Sequence, residues 1–345
     1  MRNDNSKTFT FVIMKILKVL AALAIGFTSS CQYFEKSSEP NASSSPSTVD
    51  INTIQFDENL AYQYIEKQVS FGPRVPSTSQ HKACADWILS VLETYTDTSY
   101  FQEFTTVTYD GKKHQGKNII AKLNPSNPNR ILLCAHWDTR PIADKDTKNQ
   151  NKPILGANDA GSGVGVTLAI LDAVKKSKTK LGIDIVFFDI EDYGQPTNSQ
   201  LPPMENSWCL GSQYWGKNYQ ETNRPRWGIL LDMVGGKDAT FYREEISMLY
   251  ASNLVGRVWE NADKLGHNAY FLTENIGTIQ DDHLYVNTLA NIPTIDIIDY
   301  KLKENDFAAY HHTHSDNMNS VDKNTLKAVG RVLLYTIYQE EQIGL

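Results

Sequence analysis

Five apolar runs punctuate the chain from about residue 118 onward. They are "NIIAKL" (118–123), "RILLCAH" (130–136), "IDIVFFDIE" (183–191), "WGILLDMVG" (227–235) and "PTIDIID" (293–299). Apolar residues follow one another almost without alternation, which predicts strands covered on both faces. Between and after them lie stretches with helical spacing. "GVGVTLAILDAVKK" follows a Gly/Ser turn, "ISMLYASNLVGRVWENADKLG" ends on glycine, and "VDKNTLKAVGRVLLYTIYQE" closes the chain with Asp322 or a neighbour as cap. Strands alternating with helices predict an α/β fold, three layers deep, around a central twisted sheet that is mostly parallel but mixed.

The N-terminus breaks this pattern. Lys15 and Lys18 lead into "VLAALAIGF", then "TSS" and Cys31. A charged start, a short apolar stretch and small residues predict a signal peptide over 1–30. The apolar run is too short for a comfortable membrane span. A cysteine straight after small residues resembles a bacterial lipoprotein signal, with Cys31 lipidated. Plain secretion and an uncleaved anchor are the alternatives. "SSEPNASSSPST" has nothing to bury and predicts a flexible tether over 31–50. One catalytic domain over 51–345 follows. The expected location is the bacterial cell envelope, periplasmic, with membrane contact only through Cys31, and the expected state is a monomer.

Composition narrows the field. The 345 residues are 41% hydrophobic with a net charge of −7, ample for a large core. No basic run stands out, so nucleic acid is excluded as a partner. Beyond Cys31 remain Cys84, Cys134 and Cys209, an odd number with no thiolate metal spacing; Cys134, inside "ILLCAH", reads as a buried free thiol.

In open α/β sheets, sites form beyond the carboxyl ends of the strands. There this chain places His136 and Asp138, then Asp159 in "GANDAGSG", then Glu191 and Asp192, then Asp232, and last His311, His312 and His314 in "YHHTHSDN". Singly, each has a plain structural reading: an Asp as a turn or helix cap, His136 as a structural histidine, the paired acids as a solvated corner. Together, imidazoles and carboxylates from separate strand ends point to a metal site, most often zinc. A cation also explains the adjacent carboxylates, one ligating and the other placed to exchange protons beside the metal.

"HWD", "GANDAGSG", "FFDIED", "LLDMVG" and "HHTHSD" resemble, in order, the motifs of the zinc-dependent exopeptidases, a family that includes secreted bacterial aminopeptidases and glutaminyl cyclases. The resemblance spans roughly residues 55 to 345. For aminopeptidases it implies two zincs on His136, Asp159 (bridging), Asp192, Asp232 and His312, with Glu191 as general base. "IQDDH" (279–283), "FGPRVPSTSQH", "HWDTRPIAD", "EDYG" and "SWCLGSQYW" look most like bacterial glutaminyl cyclases. That branch implies one zinc on Asp159, Asp192 and His312, with Glu191, Asp232 and Asp281 catalytic. It further implies a substrate wall of Gln280, Ile279, Phe307, Trp208 and His311, and N-terminal glutamine as substrate. The chain departs from the animal cyclases at Asp192 (Glu there), His311 (Trp), Asp296 (His) and Ala160 (Ser). The residues are compatible with three readings: a cyclotransferase, an aminopeptidase, and a non-catalytic binding module on the same fold.

Overall fold

A computed structural model describes residues 49–343. The expected leader, Cys31 and all but the last two residues of the tether lie outside them. The fold begins slightly earlier than the sequence suggests. Val49 packs against the core, and the Asp50 carboxylate accepts the Asn52 N–H at 2.9 Å, starting a short turn.

Eight strands follow: β1 (Thr98–Val107), β2 (Lys113–Leu123), β3 (Arg130–His136), β4 (Gly182–Phe188), β5 (Gly228–Asp232), β6 (Phe241–Glu244), β7 (Phe271–Ile276) and β8 (Thr294–Ile298). The main sheet runs β1-β2-β4-β3-β5-β8, while β6 and β7 form a small parallel pair. β4, β3, β5 and β8 are parallel, and β1 and β2 join as antiparallel strands at one edge. Every residue of the four parallel strands is buried, as their continuous apolar runs predict.

Side-chain alternation divides these strands between two cores. On β3, Ile131, Leu133 and Ala135 join one apolar cluster, whereas Leu132 and Cys134 join the other. The larger cluster is covered by α1 (Glu58–Ser70), α2 (Ser79–Tyr95), α3 (Gly161–Lys176), α5 (Glu245–Lys264) and α7 (Lys323–Ile343). The smaller is covered by α4 (Leu210–Lys217) and α6 (Asp282–Ala290), through Trp215, Val286 and Ala290. The result is the three-layer α/β/α arrangement with a mixed central sheet. Asp322 accepts the Asn324 N–H at 2.8 Å at the start of α7, the predicted cap. Cys84, Cys134 and Cys209 are free and buried.

Two strands end sooner than the apolar runs suggest. β4 stops at Phe188, because Asp189 replaces the ladder with side-chain bonds. Its backbone N–H donates to Asn118 Oδ1 at 3.0 Å, and its carboxylate accepts from Lys117 N and from Ile190 N, the latter at 2.8 Å. Ile190 then adopts φ 54°, and Met233 after β5 adopts φ 50°. Both left-handed turns swing the chain off the sheet. Glu191 and Asp192 therefore sit on a turn rather than a strand.

Candidate metal centre and its cavity

The strand ends deliver the acids and imidazoles to one place. His136 closes β3, and its Nε2 lies 3.0 Å from Asp159 Oδ1 and 3.2 Å from Asp232 Oδ1 at the end of β5. Asp159 does not cap α3, since the cap position is Ala160 and no side chain bonds there. Its carboxylate is left for the site. His312, with φ 59°, brings Nε2 to 3.1 Å from Asp192 Oδ1 and 3.9 Å from Asp159 Oδ2. His311 approaches only one of these acids, Asp159, at 3.8 Å.

Two further carboxylates hold the acid-bearing turns. Asp138 accepts the successive N–H groups of Glu191 (3.0 Å) and Asp192 (3.3 Å). Asp316 accepts those of Asn158 (2.8 Å) and Asp159 (3.0 Å). The first clamp resolves the paired acids. Asp192 points to His312, whereas Glu191 takes the Cys209 thiol at 3.2 Å on Oε1 and lies within 4.8 Å of Asp281. Asp281 starts α6, where one carboxylate oxygen accepts the Asp282 N–H and the other, Oδ2, is buried without a partner.

A cavity of about 300 Å³ opens over these groups. Its lining includes Asp159, Asp192 and His312, then Glu191, Asp232 and Asp281, then Gln280, Ile279, Phe307, Trp208 and His311. Apart from His136 and Asp138, which lie beneath it, and His314, which pairs with Asp146 at 2.9 Å, the site residues singled out in the sequence thus face one space. The Trp208 ring lies parallel to that of His312 at 5.8 Å, with the Arg140 guanidinium 4.6 Å from its centre. Glycine at 194 makes this possible, because a Cβ there would sit 1.8 Å from Trp208. Phe307 packs on His311 at 4.5 Å, and Lys145 Nζ lies 3.2 Å from His311 Nδ1.

Carboxylates outnumber the basic groups around this cavity. Burial pushes the Glu191 carboxyl well up; His136 opposes this, while Asp281 and Asp192 add to it. Burial likewise raises Asp192, Asp281 and Asp296, and takes Asp232 to about 7. At Asp159 burial acts the same way, but the His136 hydrogen bond and three imidazoles overcome it and hold the group low. Neither oxygen of Asp192 has a partner with hydrogen-bond geometry, although both are buried. Such orphaned oxygens facing imidazole nitrogens are what a divalent cation would satisfy. Two overlapping donor sets meet here, Asp159–His311–His312 and His136–Asp159–Asp232, sharing Asp159, and Asp192 adjoins the first through His312 Nε2 at 3.1 Å. Mixed oxygen and imidazole donors suit zinc.

Several residues of the site carried no assignment from the sequence. Asp138 and Asp316 stood in "HWD" and "HSD", but only the fold shows that they accept pairs of backbone N–H groups. Arg140 is buried, donates to the Asp192 carbonyl at 2.9 Å and pairs with Asp144. Cys209 offered only its place in "SWCLGSQYW". Met233 lines the cavity from within "LLDMVG", where it carried no role, and Lys145 lines it just past "HWDTRPIAD" with no motif to mark it.

The chain is similar in sequence and fold to several known proteins. A solved glutaminyl cyclase from Bacteroides thetaiotaomicron, bound to N-acetylhistamine, is 47% identical with a TM-score of 0.80, covering 82% of this chain and 98% of that one. The glutaminyl cyclase of Tannerella forsythia is 45% identical, also at 0.80, covering 82% and 99%. An aminopeptidase of Bacillus subtilis is 26% identical over 235 residues, or 65% of this chain, which spans only 44% of that relative's length. The profile of Peptidase family M28 matches residues 118–337, from the second half of β2 through the four parallel strands and their acid-bearing ends, and the chain belongs to that family.

Proposed function

We propose that this chain is a zinc-dependent glutaminyl-peptide cyclotransferase that converts the N-terminal glutamine of peptides to pyroglutamate and releases ammonia. The observation that carries the reading is the Asp281 carboxylate, buried, with one oxygen unpartnered, within 4.8 Å of Glu191 in the same cavity. The likeness to two bacterial glutaminyl cyclases supports it.

One zinc on Asp159, Asp192 and His312 would act as a Lewis acid toward the γ-carboxamide oxygen. The chain's own groups do the rest. Ile279, Phe307 and Trp208 wall the glutamine side chain, with Gln280 and His311 at its edges. They fold the tethered α-amine against the carbonyl carbon of the γ-carboxamide, so the nucleophile needs orientation more than activation. Glu191 takes a proton from the α-amine as the new C–N bond forms. It returns that proton to the departing amide nitrogen as the old C–N bond breaks, so ammonia leaves. Asp232 and Asp281 share a proton and hold the N–H groups of the leaving nitrogen.

One observation favours an aminopeptidase instead. His136, Asp159 and Asp232 already converge to 3.0 and 3.2 Å, a second metal set. Product mass separates the readings. A glutamine-led dipeptide losing 17 Da supports the cyclotransferase, whereas release of two free amino acids overturns it. Metal content near one zinc per chain is expected.

The leader before Cys31 supports a periplasmic, lipid-anchored location. Cys31→Ser should then move the protein from membrane to soluble fraction; an unchanged distribution would refute lipidation.

A further inference from the structure

Beyond the catalytic cavity lies a second space of about 330 Å³ that the proposed chemistry leaves unused. The two spaces share walls: Pro196, Thr197, Trp208 and Gln280 line both. The outer wall is the loop from Gln195 to Ser207, and it is braced from within. Gln195 accepts the Met204 N–H on Oε1 at 2.7 Å and donates through Nε2 to the carbonyls of Leu201 (3.2 Å) and Pro202 (3.1 Å). Its backbone N–H reaches Ser207 Oγ at 3.0 Å. Across the gap, Gln280 Nε2 donates to the Tyr285 hydroxyl at 2.9 Å, which in turn donates to Asn206 Oδ1 at 3.4 Å. The groove is therefore a built feature, open before anything binds. On its loop side it presents Leu201, 45% exposed, and Met204, 36% exposed, among the large apolar residues that the described chain leaves open.

We infer that this groove receives the second and third residues of the peptide whose N-terminal glutamine occupies the catalytic cavity, and that it favours apolar side chains there. The inference rests on the cyclotransferase reading and deepens it. A glutamine held against Trp208 and Gln280 must lead the rest of its chain away past a wall, and these two residues are common to both spaces. An extended chain advances about 3.3–3.6 Å per residue, so two residues suffice to enter the groove. A braced loop loses little freedom when a peptide lies on it, so contacts with Leu201 and Met204 are retained as binding energy. Contacts remote from the reacting atoms raise turnover at limiting substrate when they hold the reacting end in place.

The test compares ammonia release from glutamine amide, Gln-Gly-Gly and Gln-Leu-Leu. The wild-type chain should turn over Gln-Leu-Leu with kcat/KM about tenfold above Gln-Gly-Gly, the scale of discrimination by an apolar pocket. Leu201→Asp/Met204→Asp should reduce that preference to within about twofold and leave glutamine amide unchanged; Leu201→Ser/Met204→Ser is the milder version should the first fold poorly. Equal turnover of the two tripeptides by the wild type, or an equal loss on all three substrates in the folded variants, would overturn the groove alone. Absence of ammonia from every substrate would overturn the cyclotransferase reading and the groove with it.

Discussion

The β3–β4 pair carries charge at both ends, and the two ends are built on opposite terms. At the amino end, Arg130 and Asp184 are buried together. The guanidinium bonds both carboxylate oxygens and also donates to the carbonyls of Pro125 at 2.9 Å and Asn127 at 3.0 Å. Each charge is answered within the protein. At the carboxyl end stand His136 and Asp192, just as buried, and Glu191, partly so, yet both Asp192 oxygens and His136 Nδ1 lack hydrogen-bond partners. Burial without partners is costly, and natural folds tolerate it where a ligand or ion completes the set. The satisfied end is structural; the unsatisfied end is where something binds.

That contrast is open to measurement, beginning with the largest effect. Chelation should abolish activity and lower the melting temperature, with zinc restoring both, because the metal binds only the folded chain. An activity indifferent to exhaustive chelation would remove the reason given for the orphaned oxygens. Glu191→Gln keeps the shape but cannot carry a proton. Its kcat should fall about 10³-fold, with KM and zinc content little changed.

Arg130→Met probes the other end. It strands Asp184 in the core and should cost about 3–5 kcal/mol of stability by denaturant unfolding. Zinc content and the kcat of the folded protein should be unaffected; if kcat fell with stability, the two ends would not be separable. Asp281→Asn should lower cyclisation about 10²-fold at unchanged stability. Turnover within twofold of wild type would take Asp281 out of the shared-proton pair.

The smallest effect concerns pH. Glu244 starts α5, accepting the Ile246 N–H at 2.7 Å and the Ser247 N–H, and pairs with His283 at 3.0 Å. Burial alone would raise this carboxyl, but the hydrogen bonds and charge of His283 and the bond to Ser247 set it below its ordinary 4.5. A depressed carboxyl stabilises the fold fully above its unfolded value and loses that contribution as pH falls through the folded one. The stability gap between wild type and Glu244→Gln should be about 1 kcal/mol at pH 7 and close below pH 4.5. A gap independent of pH would show that shape, not charge, is what Glu244 contributes.

Much of the core could be read in advance. The run "RILLCAH" matched β3 residue for residue, and the other parallel strands were found with ends a few residues off, because continuous burial on two faces leaves continuous apolar sequence. Edge strand β1 was missed, since "TSYFQEFTTV" is largely exposed and carries only weak alternation. Helices α1, α2, α4 and α6 were not marked either. α1 and α2 start on Asp57 and Thr78 caps, local signals that were available. α4 starts from Cys209 at φ 58°, which no local pattern announces.

By itself the sequence determined the layer order, the buried parallel strands and the identity of the acids and imidazoles at their ends, because hydrophobic period and residue chemistry are local properties. Only the tertiary structure decided where those side chains point. Asp138 reaches across from β3 to hold the turn after β4. Asp316 reaches 157 positions back to Asp159. Cys209 meets Glu191 from a separate loop. Each is one or two hydrogen bonds between segments distant in sequence, and such a pairing leaves no period or composition to read until the chain has closed around it.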